Sequence, residues 1–371
     1  MANNNSSVFY SEYIIDGAKV NCTPSQMLNE AMIYNSPSTE GQTDIYRTII
    51  DETTERSPLP LKYPLTPNGY IESIAQTSLH PRTFKFTHPE TFTKQRIAIS
   101  VIDALWKKGH FRLDNLSVGL RWTWIPSPVG NMAAFYNSTK AAAEYIYNLN
   151  IELNSYEFEQ SSEKCNMKVI TGPLIETEES DQGHIYIKTE RQCQDKIYDD
   201  DSSWIIYIPF DPDPFELGGS LFEDCINNGR GRTLDISDPD YFIDCYEVVR
   251  ELVEDDIVMA GRTVCDGGLA AAAKNMIGNA GMDLDISGIQ SAYKENDAFR
   301  ILFAEIPGVL IQIRDCDYDY FDGQMLLQDV AYYPVGRINL NHKDLHIKQD
   351  CRSGLADILA ALMQGTSEGE D

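Results

Sequence analysis

Chemistry in this sequence can be sought first at one turn. Asp266-Gly267-Gly268 ends an apolar run, and Leu269 to Met276 follows with alanine at each position from 270 to 273. The glycines permit positive φ and close backbone approach, and the alanines favour helix. The order therefore predicts a sharp turn into a helix, with Gly278 and Asn279 as its stop and Gly281 beyond. Free amides at such a helix start can receive an anion. Capping by Asp266 would satisfy them with nothing bound. Gly218-Gly219 form a second glycine pair, in the loop DPDPFELGGS. Arg262, just upstream of the first turn, can hold a phosphate or carboxylate bidentately, or make a salt bridge across a dimer.

Other reactive residues carry weaker patterns. Cys265 has no identifiable base beside it and reads as a buried small residue. Asp315, Asp317, Asp319 and Asp322 begin like a calcium loop, but Tyr320 stands where glycine is required and Leu326 where glutamate is required. They read as a solvated turn at a strand end. Asp199 to Asp201 read as a solvated linker. His342 and His346 have a spacing that holds a metal on a helix. Two ligands do not make a site, so they read as a surface pair and no metal is expected. His88 and His110 lie in polar surroundings. Trp122, Trp124 and Tyr136 fall at core positions.

Composition bounds the function. The chain has 371 residues, 42% hydrophobic, enough for two domains with a sizeable core. A net charge of −27 opposes nucleic-acid and anionic-membrane partners, since phosphate contacts need Lys and Arg. It leaves room for a nucleotide bound through magnesium. No apolar run approaches the roughly 18 residues of a transmembrane span, and MANNNSSVFYSEY lacks a secretion signal. The eight cysteines form no Cys-x-x-Cys pair, so free thiols in a reducing compartment are expected. The expected location is cytoplasmic, with a virion-associated setting as the alternative.

The elements that must position these residues follow the hydrophobic period. Thr23 to Met32 predicts a short helix capped by Thr23, with Pro24 in its first turn. Ser57 to Pro67 is too proline-rich for regular structure and reads as an arm or linker. The whole region before residue 70 reads as an extension clasping either the body or a partner. Thr93 to Lys107 and Asn137 to Asn148 have helical spacing, and Ser117 to Trp124 alternates as a strand. Met167 to Ile175, His184 to Lys188 and Trp204 to Phe210 read as strands, and Asp238-Pro239 opens a helix. Val258 to Val264 is a strand, Phe299 to Glu305 a loop, Val309 to Ile313 a strand, and Val330 to Ile338 the last strand. Ser353 to Met363 is expected to be an amphipathic helix before an acidic tail.

The order WIIYIPF, ELGGSLFEDC, a long helix, VCDGGLAAAAKNM, ILFAEIPGVLIQI and VGRI resembles the C-terminal AIR-synthase-type half of formylglycinamidine ribonucleotide (FGAM) synthase. Upstream, LSVGLRWTWIPSPVGNMAAFYNSTKAAAEYIYNLNI resembles that family's strand-and-helix segment. The resemblance runs over about residues 93–340. It implies an α/β (α+β) fold of AIR-synthase type: an N-terminal barrel-forming sheet module beside a C-terminal α/β module. The expected divisions are 1–69 as an arm, 70–200 and 201–345 as the two modules, and 346–371 as a helix and tail. Because an open sheet edge is a liability, the resemblance also implies a homodimer that restores the barrel.

FGAM synthases make an amidine with ATP through a phosphorylated intermediate, which calls for magnesium-bound polyphosphate. By the resemblance, the family's His-Asp falls on Arg262-Thr263 and the serine of its glycine turn on Cys265. Its acidic GEDA pair falls on Asn131-Met132, and its Gly-Lys-Asp segment is replaced by ELNSYEFEQSSE. Asp266, Gly267, Gly268, Gly218, Gly219 and Glu305 are kept as residual ligand-binding candidates, with Arg262 beside them. The expectation is a catalytically eroded relative with no catalytic residues and no cofactor, serving as a structural, scaffold or assembly subunit. A virus or phage that has reused the fold is one setting for it. The alternatives are an ATP- and magnesium-dependent ligase with an altered nucleotide site, and a regulatory nucleotide-binding module.

Overall fold

The computed structural model describes residues 7–32, 45–47, 67–107, 112–173, 191–226, 232–234 and 236–348. The chain divides into two compact units, 1–56 with 82–189, and 57–81 with 190–371. The N-terminal region folds as α1 (Ser7–Tyr10), β1 (Glu12–Ile15), β2 (Ala18–Lys19), α2 (Pro24–Glu30) and β3 (Ile45–Arg47). α3 (Pro67–Thr77) follows and belongs to the second unit. Thr23 caps α2 in a reciprocal box with Gln26, with Pro24 in the first turn, as the sequence predicts.

The sequence leaves open what the N-terminal extension clasps. Within the first unit, residues 7–32 pack on the unit itself. The Phe9 ring meets Trp122, Phe135, Tyr156 and Phe158 with centroids 4.7 to 6.4 Å apart. Tyr136 Oη donates to the Cys22 carbonyl at 3.1 Å, and Leu153 N to the Ala31 carbonyl at 3.0 Å.

The rest of that unit is α4 (Pro89–Leu105), β4 (Leu116–Trp124), α5 (Gly130–Asn148), β5 (Glu152–Gln160) and β6 (Asn166–Pro173). β4 is central, parallel to β5 and antiparallel to β6. Its alternation sends Val118, Leu120, Trp122 and Trp124 into the core, each at most 2% exposed. Trp122 Nε1 donates to Ser138 Oγ at 2.9 Å, and that hydroxyl meets Thr93 Oγ1 at 2.7 Å. The opposite face carries Arg121, ion-paired to Glu157 at 2.6 Å.

The second unit continues from α3 with β7 (Trp204–Pro209), α6 (Leu221–Ile226), α7 (Pro239–Glu254), β8 (Val258–Val264) and α8 (Gly268–Met276). Then come β9 (Gly281–Leu284), α9 (Ser287–Tyr293), α10 (Ala298–Phe303), β10 (Gly308–Ile313), α11 (Tyr318–Leu327), β11 (Tyr333–Asn339) and β12 (Leu345–Ile347). One six-stranded sheet runs in the order β12-β9-β11-β7-β10-β8, antiparallel except for the pairing of β9 with β12. Asp238 Oδ1 accepts from Tyr241 N at 3.0 Å and opens α7 as predicted. α8 packs against α3, α10 and β8.

Several elements differ from the sequence reading. Residues expected as a loop from Phe299 form α10, whose Ala298, Phe299, Ile301, Leu302 and Phe303 are all buried. A six-residue helix with five buried positions and only Arg300 outward is too short to show an amphipathic period. The aspartate-rich turn after β10 continues as α11. The strand expected from Val330 begins at Tyr333 and is followed by β12. Residues 67–81, divided in the sequence reading between arm and first module, group with the second unit. The expected strand at 184–188, the proline-rich stretch before α3, His110 and the helix at 353–363 lie outside the described residues. No helix among the described residues is long and apolar enough to cross a membrane.

Candidate functional site

The turn into α8 is built as the sequence predicts, and its Gly267 amide already meets an anion. Gly267 and Gly268 take φ of 76° and 68°. A Cβ on Gly268 would fall 2.7 Å from the Leu302 carbonyl oxygen and 2.8 Å from that of Ala304. The glycine therefore serves a close approach of backbone to backbone. The cap position is Gly267, the residue after Asp266. The Gly267 amide donates 2.9 Å to Glu305 Oε1. The same oxygen accepts from Leu221 N, at the start of α6, also at 2.9 Å. Glu305 is 2% exposed. One buried carboxylate thus joins the first turns of two helices, where partial positive charge favours it.

The second glycine pair repeats the arrangement. Gly219, with φ of 82°, donates its amide 2.6 Å to Glu223 Oε2. Glu223 N in turn donates to Ser220 Oγ at 3.1 Å. Gly218 N goes to the Arg232 carbonyl at 2.9 Å. Cys265 is buried and its thiol donates to the Glu305 carbonyl at 3.3 Å, in keeping with a packed residue. Arg262 lies within β8, opposite Leu310 of β10, and its Nη1 is 3.9 Å from Asp195 Oδ2. The structure thus gathers Gly219, Gly267, Gly268 and Glu305 around the starts of α6 and α8, while Arg262 sits mid-strand with a long ion pair to Asp195 among its contacts.

In the first unit, Asn131 and Met132 occupy the places where the resemblance would put acids. Asn131 is fully buried, and its Nδ2 donates to the carbonyls of Ile125 at 2.9 Å and Ser127 at 3.2 Å. Trp124 Nε1 donates to the Asn131 carbonyl at 2.9 Å. Met132 is 1% exposed. Both residues close the loop into α5. The segment replacing Gly-Lys-Asp forms the strand β5, where Tyr156 Oη lies 3.2 Å from Ser25 Oγ and 3.3 Å from Asn29 Oδ1.

Two features escaped the sequence reading. Asp211, just after β7, is 1% exposed. Its Oδ1 accepts from Asp213 N at 2.9 Å and its Oδ2 from Ser237 N at 3.2 Å. Burial pushes its carboxyl up to about 7, against the lowering effect of those amides. The second is Asp283 on β9, which meets both members of the histidine pair. His342 lies in the turn after β11 and His346 on β12, so the pair is not helical. Burial opposes ionisation of Asp283, but hydrogen bonds from Asn339 and His342 hold its carboxyl below the ordinary range. A local sequence window could show neither, because Asp211 is closed over by Ser237, 26 residues on, and Asp283 reaches His342 across 59.

No family model matches the chain. In sequence it is 21% identical over 262 residues to the probable chloroplastic/mitochondrial phosphoribosylformylglycinamidine synthase of Arabidopsis thaliana, covering 67% of this chain and 18% of that protein. It is 25% identical over 115 residues to the human phosphoribosylformylglycinamidine synthase, covering 30% of this chain and 8% of that protein. Among solved structures, phosphoribosylformylglycinamidine synthase II of Thermotoga maritima aligns at 12% identity with a TM-score of 0.49, covering 71% of this chain and 40% of that one. HypE of E. coli, a hydrogenase maturation protein, aligns at 11% identity with a TM-score of 0.45, covering 69% and 76%. The chain is thus an α/β protein similar in sequence to phosphoribosylformylglycinamidine synthases, and it spans less than a fifth of the length of those two relatives.

Proposed function

We propose that this chain is a non-catalytic relative of FGAM synthases that serves as a structural or assembly subunit. The observation that carries the reading is the burial of Asn131 and Met132 where the resemblance puts magnesium-binding acids, and the Glu305 carboxylate on the amides of Leu221 and Gly267 adds to it. An external phosphate drawn to those amides would meet a fixed like charge. At about 4 Å and an effective dielectric of about 20, two unit charges repel by roughly 4 kcal/mol. That is about a thousandfold in affinity. Glu223 on the Gly219 amide adds to the effect, and the buried Asn131 and Met132 supply no carboxylate for magnesium. Calorimetric titration with ATP and ADP in the presence of magnesium tests the reading. No binding heat is expected. Micromolar binding, or ATP hydrolysis that disappears in Glu305→Gln, would overturn it.

We also propose that two chains associate through the three-stranded sheet of the first unit. β5 and β6 are its outer strands, and neither pairs with a further strand among the described residues. The face away from α4 and α5 bears Arg121, Glu157 and Lys168, all exposed, around one exposed apolar side chain, Ile170. An association over this face is therefore polar and weakened by salt. Light scattering checks it, and a monomeric mass at low salt removes it.

A further inference from the structure

We propose that Asp283, His342 and His346 form a binding site for one divalent transition-metal cation of the zinc, nickel and cobalt class. One ligand atom from each residue can be chosen so that all lie within 4.8 Å of one another. His342 Nε2 is 2.9 Å and His346 Nδ1 3.7 Å from the same oxygen, Asp283 Oδ1. A tetrahedral cation with bonds of about 2.0–2.1 Å holds its ligand atoms about 3.3 Å apart. The two histidine-to-carboxylate separations bracket that value and the third lies within 4.8 Å, so side-chain rotation completes the set. Two imidazoles and one carboxylate suit borderline cations better than magnesium or calcium, which prefer all-oxygen sets.

The surroundings orient the ligands. Asn339 Nδ2 donates 2.8 Å to Asp283 Oδ2, which leaves Oδ1 turned toward the rings. Such outer contacts fix the orientation of metal ligands. The two imidazoles stack with centroids 3.7 Å apart and planes 29° apart. Space for His342 exists because residue 281 is glycine: a Cβ there would lie 2.1 Å from His342 Nδ1. Any other residue at 281 displaces the ring. Asp344 N donates to His342 Nδ1 across 3.3 Å. A cation on Nε2 places the ring proton on Nδ1, so loading gives up this long contact and exchanges the His342–Asp283 hydrogen bond for shared coordination. His346 is 49% exposed, which leaves room for water as a further ligand.

The cation would act as a clip. β12 lies at the sheet edge and pairs with β9 over only Leu345 to Ile347. The site would bind that short strand to β9 and to the turn after β11. The test is a calorimetric titration of the full chain with zinc chloride, and separately with magnesium chloride, on the parent, His346→Ala and Asp283→Asn. The parent is expected to take up one zinc equivalent that both variants lose or bind at least roughly tenfold more weakly, and to show no heat with magnesium. Thiols also bind zinc, so the measured quantity is the equivalent that depends on His346. As a second readout, the ring resonances of two histidines shift on zinc addition in the parent. Equal stoichiometry and affinity in parent and His346→Ala, or unmoved ring resonances, would overturn the site.

Discussion

Glu305→Ala should be the most damaging single change around the glycine turns. It removes the acceptor of two buried backbone amides, those of Leu221 and Gly267. Each buried donor left unsatisfied costs about 1–3 kcal/mol, so the pair costs roughly 2–6 kcal/mol. For a domain of roughly 150–250 residues, each kcal/mol moves Tm by about 2–4 °C. A midpoint loss of about 4 kcal/mol therefore lowers Tm by roughly 8–16 °C. Glu305→Gln keeps an oxygen for both amides and loses only the charge assistance, about 1 kcal/mol per bond. It should sit between the parent and the alanine variant. Differential scanning calorimetry of the three proteins measures the order. In Glu305→Ala, millimolar formate or acetate should recover part of the lost Tm by filling the vacated anion seat, with no such gain in the parent. Alanine and glutamine variants both within about 1 kcal/mol of the parent would refute the idea that this carboxylate joins α6 to α8.

Two further outcomes follow from the charges. The Asp211 carboxyl titrates near about 7 when folded, against an ordinary 3.8. The folded state therefore holds a proton that the unfolded chain releases between those values, so the stability contributed is present below 3.8 and lost as pH rises through about 7. Urea unfolding should show this downward slope in the parent and its absence in Asp211→Asn, even though the amide lowers absolute stability by facing an N–H; an unchanged slope would exclude Asp211 as its source. For the paired chains, Arg121→Ala should raise the dissociation constant at low salt and leave little difference at high salt, as followed by sedimentation.

Local chemistry was legible in the sequence, and long-range closure was not. Thr23-Pro24, Asp238-Pro239 and the apolar run Val258 to Val264 declare their elements because cap, proline and period all act within one turn or strand. α10 was hidden because its six residues AFRILF bury all but Arg300 and span too few turns to show a period. β9 and β12 were hidden because four and three residues carry too little alternation. The glycine turn itself was readable. Its meaning was not, since the group on its amide comes from Glu305, 38 residues away. The same holds for Asp283, which reaches His342 across 59 residues. The aspartates from 315 to 322 misled in a different way, because aspartate favours both turns and helix starts.

The position of β7 in the middle of the sheet governs how the chain must be made. Ile206 pairs with Ile311 on one side and Pro334 on the other, both more than a hundred residues further along. At roughly 5–20 residues per second, the segment WIIYIP leaves the ribosome about 5–20 s before either neighbour exists. An uncharged, β-prone strand waiting that long is a hazard for intermolecular pairing. The residues on either side meet that hazard. Asp199, Asp200 and Asp201 precede the segment, and Asp211 and Asp213 follow it. Runs of negative charge flanking an unavoidable apolar strand keep copies of it apart. These aspartates, which in the finished fold hold turns and the approach of Ser237, thus protect the central strand during the interval before its partners arrive.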